Sequence, residues 1–373
     1  MILPIILVMS LLLYMWAMDQ ISKAWRQIPD AERSQSDKTV SVLVVYRNEE
    51  LYLKDLIESL RNQEYPYNLV EYIFIDDHSD DDSFSLVEAL LSDFKSDVQH
   101  VKLEPECVGK KNGLQAGIEL AKNDWILTTD ADCTVSKNWV KSMSSMNQAS
   151  FVSGPVKFRN ANNLWGKLVD LDFVSMIVLG GSLIQKRTPV LANGANMFYN
   201  KQVFKDVKGY NGNIDVASGD DVFLLEKIAS NEGYHIHFNK NVDAIVSTRM
   251  VNNVFDFIQQ RIRWAKKTQY SGSTRSNTLL RTLLGFYFVL IFCFITVFFS
   301  ATPYLIWTLC SVMLIKILVD LQFFKSVLPF FGKSNLLPFV VIVDFLHPFY
   351  MTIIAFLSWV TPVSWKKRKY KNG

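Results

Sequence analysis

Thr39-Val-Ser-Val-Leu-Val-Val45, Glu71-Tyr-Ile-Phe-Ile75 and Trp125-Ile-Leu-Thr-Thr129 are short runs rich in β-branched and aromatic residues and almost unbroken in apolar character. Such runs read as strands buried on both faces, the pattern of a parallel sheet. Helical patterns stand between them. Residues 49–61 carry Leu53, Leu56, Ile57 and Leu60 at helical spacing, and residues 84–94 and 111–121 read as two more helices, with a further short strand over 98–103. Strand and helix alternating in this way predict a doubly wound α/β domain. Sheets of that kind bind ligands outside the carboxyl ends of their strands, where two acidic clusters fall: Asp76-Asp-His-Ser-Asp80 and Asp130-Ala-Asp132.

The composition sets the frame around this domain. In 373 residues, 49% are hydrophobic and 20% charged, with a net charge of +3, which excludes a disordered chain and gives no electrostatic argument for a nucleic-acid partner. The four cysteines, Cys107, Cys133, Cys293 and Cys310, lack Cys-x-x-Cys spacing, which argues against a disulfide framework or a structural zinc site. Apolar residues are unevenly distributed. Residues 1–18 carry no charge, enough for a bilayer span of roughly 20 residues, and Lys23, Arg26 and Arg33 follow. The positive-inside rule then places the N-terminus outside and the next segment in the cytoplasm. A second uncharged block, 283–315, is divided near Pro303 and reads as two helices with a tight turn; a third, 336–359, contains Asp344, His347 and Pro348 and precedes Lys366-Lys-Arg-Lys369.

These segments predict an N-terminal anchor over 1–22, a soluble domain over 37–270, a transmembrane hairpin over 281–322, a C-terminal transmembrane segment over 335–361 and a basic tail over 362–373. The expected location is the cell membrane, multi-pass, with the α/β domain cytoplasmic. Four full crossings would leave the basic tail outside, against the same rule, so either residues 323–331 re-enter or one later block only dips into the interface. Lys316/Asp320 and Asp344/His347 read as polar pairs that either touch a headgroup or hold helices together, the structural role being favoured.

Asp-x-Asp occurs three times, at Asp80/Asp82, Asp130/Asp132 and Asp170/Asp172, where chance predicts about 1.5. The tripeptide alone therefore decides nothing. Asp130-Ala-Asp132 stands apart because it directly follows an apolar strand, so two carboxylates on a turn converge on one cation; their hard oxygens suit Mg²⁺ or Mn²⁺ together with ligand phosphates. The bland alternative is a solvated turn. Asp80/Asp82 read as a helix start favouring acids, and Asp170/Asp172 as scattered charges in an apolar stretch.

In order along the chain, Val42-Leu-Val-Val-Tyr-Arg-Asn-Glu-Glu50, Ile75-Asp-Asp-His-Ser-Asp80, Gly109-Lys-Lys-Asn-Gly-Leu-Gln-Ala-Gly117 and Leu127-Thr-Thr-Asp-Ala-Asp132 resemble the nucleotide-sugar half of family-2 glycosyltransferases with a GT-A fold. Asn193-Gly-Ala-Asn-Met-Phe198 resembles the acceptor-side strand of that family, and Gly219-Asp-Asp-Val-Phe-Leu224 its Gly-Glu-Asp motif, with Asp220 in place of glutamate. Gln260-Arg-Ile-Arg-Trp264 resembles the Gln-x-x-Arg-Trp motif of membrane-bound members. The resemblance runs from about Val40 to Trp264.

What the resemblance implies is a membrane-bound, metal-dependent, inverting enzyme that moves a hexosyl or related group from a UDP- or GDP-sugar to a lipid, lipid-linked or polysaccharide acceptor, with no nucleic acid involved. Asp76 and Asp77 stand where family members contact the nucleoside, and a carboxylate there accepts hydrogen bonds from base or ribose. Asp130 contacts the nucleotide or orients Mg²⁺ or Mn²⁺, with Asp132 the direct ligand, and Lys110 or Lys111 adds a positive contact; an exposed helix start is the plain alternative for the lysines. Asp221, paired with Asp220, is the expected general base for the acceptor hydroxyl, an acidic helix start being the alternative.

At 100° per residue, Val251, Val254, Phe255, Ile258, Ile262 and Ala265 share one helical face and Gln260, Arg263 and Trp264 the other. The apolar face suits the membrane surface, with Lys266, Lys267 and Arg275 near headgroups; Trp264 offers a sugar ring or lipid-linked acceptor a flat surface, and Arg263 offers a diphosphate a donor. A juxtamembrane helix using Trp and Arg as interface anchors is the alternative. Two other classes stay open: a catalytically silent membrane assembly factor, which would not turn over nucleotide sugar, and a nucleotidyltransferase, which has no need of Gln260, Arg263 and Trp264.

Overall fold

The structure is a computed structural model of the chain, and it describes residues 2–29, 36–146, 148–159, 161, 163–214, 219–251, 253–269, 276–300, 302–361, 364–365 and 368–369. The end of the expected domain at 270, Arg33, Arg275, the Lys267 side chain and all of the basic tail but 364–365 and 368–369 lie outside the described residues. The chain divides into two compact units. One comprises Met1–Gln27, Asn160–Thr188 and Val251–Pro362, the other Ile28–Arg159, Pro189–Met250 and Val363–Gly373.

In the second unit the elements run β1 (Val40–Tyr46), α2 (Leu53–Arg61), β2 (Val70–Asp76), α3 (Ser83–Leu90), β3 (Asp97–Lys102), α4 (Lys110–Leu120), β4 (Trp125–Asp130), α5 (Trp139–Ser144), β5 (Phe151–Ser153), β6 (Val156–Phe158), β7 (Met197–Asn200), α7 (Lys201–Asp206), α8 (Asp220–Ala229), β8 (Ile236–Phe238) and β9 (Val246–Thr248). Helix α1 (Ile2–Gln27) precedes them, and α6 (Leu164–Gln185) falls between β6 and β7, both in the other unit. Among the described residues, seven strands form one sheet in the order β3-β2-β1-β4-β7-β5-β8. The first four are parallel; β7 runs antiparallel to both β4 and β5, and β6 pairs separately with β9. Every residue of β1 and β2 is buried, as their unbroken apolar runs require. The order reverses between β1 and β4, so the crevice at the carboxyl ends of those strands is where a ligand belongs.

Helix α4 lies against this crevice because two of its positions have no side chain. A Cβ on Gly113 would stand 2.6 Å from Val45 Cγ1, and one on Gly117 3.0 Å from Ile75 Cδ1. Glycines one turn apart thus let α4 sit directly on β1 and β2, with Leu114 and Ile118 completing the buried layer. This close seat fixes the N-terminus of α4 beside the strand ends.

The first unit gathers α1, α6, α9 (Val254–Gln269), α10 (Ser276–Phe299), α11 (Pro303–Val327) and α12 (Val340–Val360). Here α1 packs on α6, α10 and α11, and α12 packs on α6, α9, α10 and α11. Among the described residues, five helices are long and apolar enough to cross a membrane: the four that the sequence predicts, lengthened at their ends, and α6. Helix α6 does not cross. A single crossing between β6 and β7 would put β7 on the opposite side from β4 and β5, with which it is hydrogen-bonded. Over 323–331, α11 runs to Val327 and a 3₁₀ turn over Leu328–Phe331 ends at Gly332, whose φ is +69°.

In this division α6 and α9 fall in the unit of apolar helices. The physical reason lies in buried charge. Asp170 and Asp172 are not scattered charges: Lys333 donates to Asp170, Arg261 Nη2 lies 2.5 Å from Asp172 Oδ2, and the Tyr350 hydroxyl donates to Asp172. Pairing of this kind is what lets charges enter an apolar interior. Asp344 and His347 do not pair with each other; Lys316 Nζ donates to Asp344 at 2.8 Å and to Asp320 at 2.7 Å, while His347 Nε2 lies 3.5 Å from Asp172. The Lys316/Asp320 pair forms as the spacing predicts, and the Tyr14 hydroxyl donates to the same Asp320 carboxylate at 2.5 Å.

Candidate active site

The carboxyl ends of β1, β2 and β4 and the N-termini of α4 and α8 supply the predicted side chains of the α/β unit. Asp76 ends β2 and accepts the backbone N–H of Ser79 at 3.1 Å, closing the turn that follows. Asp77 is buried and accepts the backbone N–H of Gly109 at 3.0 Å, while its backbone oxygen accepts from Arg47 Nη1 at 3.1 Å. Burial raises the pKa of its carboxyl above the ordinary aspartate value, partly opposed by the Gly109 N–H and by His78, whose Nδ1 lies 3.2 Å away. Gly109 takes φ +102°, which points the chain into α4 and presents Lys110 to the crevice.

Lys110 brings the two halves of the predicted site together. Its ammonium donates to Asp130 Oδ1 at 2.6 Å and lies 3.1 Å from Asp220 Oδ2. Desolvation opposes the charge on Lys110, yet Asp130 and Asp220 outweigh it and raise its pKa. The approach needs a bare backbone at Gly194, where a Cβ would fall 2.6 Å from Asp220 Oδ2 and 3.0 Å from Lys110 Nζ. Thr128 on β4 holds that loop by donating to the Gly194 carbonyl at 2.9 Å. Lys111 turns away to the Asn213 carbonyl at 2.6 Å, so of the two candidate lysines Lys110 is the one in the crevice.

Asp132 follows on the turn after β4, where Thr248 Oγ1 donates to its Oδ2 at 3.3 Å. Its carboxyl pKa is raised, first by desolvation and then by repulsion from Asp130. Among the described residues no three His, Cys, Asp or Glu side chains gather to hold a metal ion. Two neighbouring carboxylates that repel each other still fit one divalent cation whose remaining ligands are phosphate oxygens and water. Asp220 and Asp221 are both buried in the first turn of α8, and Asp221 Oδ1 accepts its own helix's Val222 N–H at 2.8 Å.

Asn196, in the segment leading into β7, serves the framework. It is fully buried, donates to the carbonyls of Pro155 and Ala244 at 2.9 and 2.8 Å, and accepts the Trp139 indole N–H at 3.0 Å. Sequence reading missed Arg47, Thr248 and Gly194 as supports of the site. Arg47 stands within Val42-Leu-Val-Val-Tyr-Arg-Asn-Glu-Glu50 and Gly194 within Asn193-Gly-Ala-Asn-Met-Phe198, whereas nothing in the sequence ties Thr248 to Asp132.

Gln260, Arg263 and Trp264 lie on α9 of the other unit, each partly exposed. Val254 and Phe255 are exposed, as the apolar face should be, but Ile262 is buried together with Phe257 and Arg261. The expected two-faced helix is thus rotated, because the ion pair between Arg261 and Asp172 draws that edge inward.

Comparisons with known proteins follow the same lines. The family described as Glycosyl transferase family 2 matches residues 41–207, and Glycosyl transferase family group 2 matches residues 125–319. The chain is 26% identical over 243 residues to the poly-beta-1,6-N-acetyl-D-glucosamine synthase of Staphylococcus epidermidis, covering 61% of this chain and 54% of that protein. It is 24% identical over 240 residues to the probable glycosyltransferase YdaM of Bacillus subtilis, covering 62% and 55%. The chain thus spans about half the length of these relatives. Its fold is similar to that of mannosyltransferase PcManGT from Pyrobaculum calidifontis, solved with GDP-Man and Mn²⁺, with a TM-score of 0.57 at 16% identity over 94% of this chain and 98% of that one. With a GT-A α/β unit, the acidic clusters at its strand ends and a family match over more than half its length, the chain belongs to the family-2 glycosyltransferases.

Proposed function

We propose that this chain is a multi-pass membrane enzyme that transfers a glycosyl group, with inversion, from a UDP- or GDP-sugar to a glycan or lipid-linked acceptor, working on the cytoplasmic side. The observation that carries this reading is the Lys110 ammonium held between Asp130 and Asp220, which joins the donor-side carboxylates to the helix bearing the proposed base. Asp77 accepts hydrogen bonds from the nucleoside, and Lys110 moves part of its charge to the donor diphosphate. Asp132, with Asp130, would hold Mg²⁺ or Mn²⁺, which supplies Lewis-acid neutralisation of the departing diphosphate. Asp221, beside Asp220 in the first turn of α8, takes the proton from the attacking acceptor hydroxyl. Trp264 and Arg263 serve the acceptor. The similarity to poly-N-acetylglucosamine synthases supports a glycan acceptor, and the apolar helices support one presented at the membrane.

The test is release of nucleoside diphosphate from a panel of UDP- and GDP-sugars by membranes containing the full chain, with Mn²⁺ or Mg²⁺ and a lipid extract. One donor should give a signal that chelator and Asp132→Ala both abolish. Silence across the panel from folded protein that binds no donor would overturn the reading.

A further inference from the structure

We propose that Arg261 is a positioning residue that fixes the ring plane of Trp264 for the acceptor. The inference rests on the reading above, in which Trp264 receives the acceptor. Arg261 falls on the unassigned second position of Gln260-Arg-Ile-Arg-Trp264, yet it is 3% exposed, an unusual burial for a guanidinium. Its Cζ lies 4.4 Å from the Trp264 ring centre and 4.8 Å from that of Phe257, so one cation sits between two aromatic rings of its own helix. The guanidinium is pinned at its far end by Asp172 on α6, 2.5 Å away, and Asp172 is in turn held by the Tyr350 hydroxyl of α12. Among the described residues, Arg261 Nε and Nη1 have no hydrogen-bond partner. The cation is therefore located by one carboxylate and two ring faces, an arrangement that suits a planar group and not an ammonium. Phe173, next to Asp172, meets Trp264 at a ring separation of 5.9 Å, so α6 constrains the indole by a second route. The chain of contacts runs from the Tyr350 hydroxyl on α12 and the buried Asp172 carboxylate on α6, through Arg261, to the one aromatic residue of the motif. A tryptophan that must present a flat surface to a sugar gains from having its ring plane set before the acceptor arrives.

The test uses the full chain in lipid nanodiscs, labelled with 5-fluorotryptophan, the Trp264 resonance being identified by its loss in Trp264→Phe. Arg261→Gln should shift or broaden the Trp264 signal and leave the other tryptophans alone. With the donor identified by the panel, it should lower the diphosphate release stimulated by lipid extract about tenfold, the scale of a desolvated cation–π contact, and leave unstimulated release within about twofold. In a Trp264→Ala background, Arg261→Gln should add no further loss. Arg261→Lys, which keeps the charge facing Asp172, carries the same test if Arg261→Gln does not fold, and should also move the resonance. An unmoved Trp264 signal, a general shift of all tryptophan signals with parallel loss of both activities, or an additive loss in the double variant would each overturn the proposal. Full stimulated release by Trp264→Ala would overturn the acceptor reading itself, whatever the resonance does.

Discussion

At the scale of single residues, the α/β unit spends one lysine on two jobs. Lys110 pairs with Asp130 and Asp220 at once, so on the proposed reading its removal leaves three acids (with Asp132) to face an incoming diphosphate without a counter-charge. Lys110→Met should therefore raise the donor KM by tenfold or more, the scale of a lost charge-assisted bond of about 1.5–3 kcal/mol, and Lys110→Arg should recover part of it; donor titrations at fixed acceptor check both. Asp77 carries a second prediction through its raised pKa. Burial favours its neutral form, so protonation sets in at a higher pH than for an ordinary aspartate, near 3.9, and donor binding weakens on acidification from that higher pH. Binding isotherms of nucleoside diphosphate against pH, run without divalent cation so that Asp132 takes no part, should show this step in the wild type and lose it in Asp77→Asn, whose affinity is low throughout. A step at the ordinary carboxylate pH would contradict the role of burial.

At the scale of elements, the position of Lys110 depends on how closely α4 can lie on the sheet. Gly113→Ala drives a methyl to 2.6 Å from Val45 Cγ1, and the helix must lift or the valine must turn. Overpacking of this kind costs about 1–3 kcal/mol, and thermal unfolding of the variant should register it. Lifting α4 also moves Gly109 away from Asp77 and Lys110 away from Asp130, so donor KM should rise with the loss of stability, whereas Gly285→Ala on α10, where nothing lies within 4 Å, should leave the donor KM unchanged. The parallel strands and their helices were legible in the sequence because apolar runs and helical spacing are local signals. Asp130-Ala-Asp132 and Gly219-Asp-Asp221 were legible because each sits directly at an element boundary. The partners were not. That Lys110 joins those two motifs depends on β7 inserting antiparallel beside β4, a pairing between residues some 70 positions apart with no local trace. Asp170 and Asp172 misled for a related reason: a carboxylate in an apolar helix shows its meaning only when Lys333 and Arg261 arrive from other segments.

At the scale of the whole molecule, pairing in the sheet constrains what the apolar helices can do. Because β7 returns to β4 and β5, α6 is excluded as a crossing, and α1, α10, α11 and α12 remain as the candidate spans. These four are not held by apolar packing alone. Lys316 on α11 bridges Asp320 of its own helix and Asp344 of α12, and Tyr14 of α1 donates to the same Asp320, so the N-terminal helix is built into the bundle and is more than a tether. One cation serving two carboxylates in an apolar interior makes single and combined substitutions diverge. Lys316→Met alone leaves two buried carboxylates facing each other without a counter-charge, a cost of about 3–5 kcal/mol, and should sharply lower the yield of monodisperse protein in detergent. Lys316→Met combined with Asp320→Asn and Asp344→Asn removes every charge from the cluster and should restore that yield toward the wild type, since an isosteric neutral cluster is often no less stable than the ion pairs it replaces. Size-exclusion profiles and thermal unfolding of the two variants, prepared side by side, decide the matter. Equal loss in both would mean that the cluster acts through its hydrogen-bond geometry, and equal recovery in both would mean that the lysine carries no weight in the assembly of the bundle.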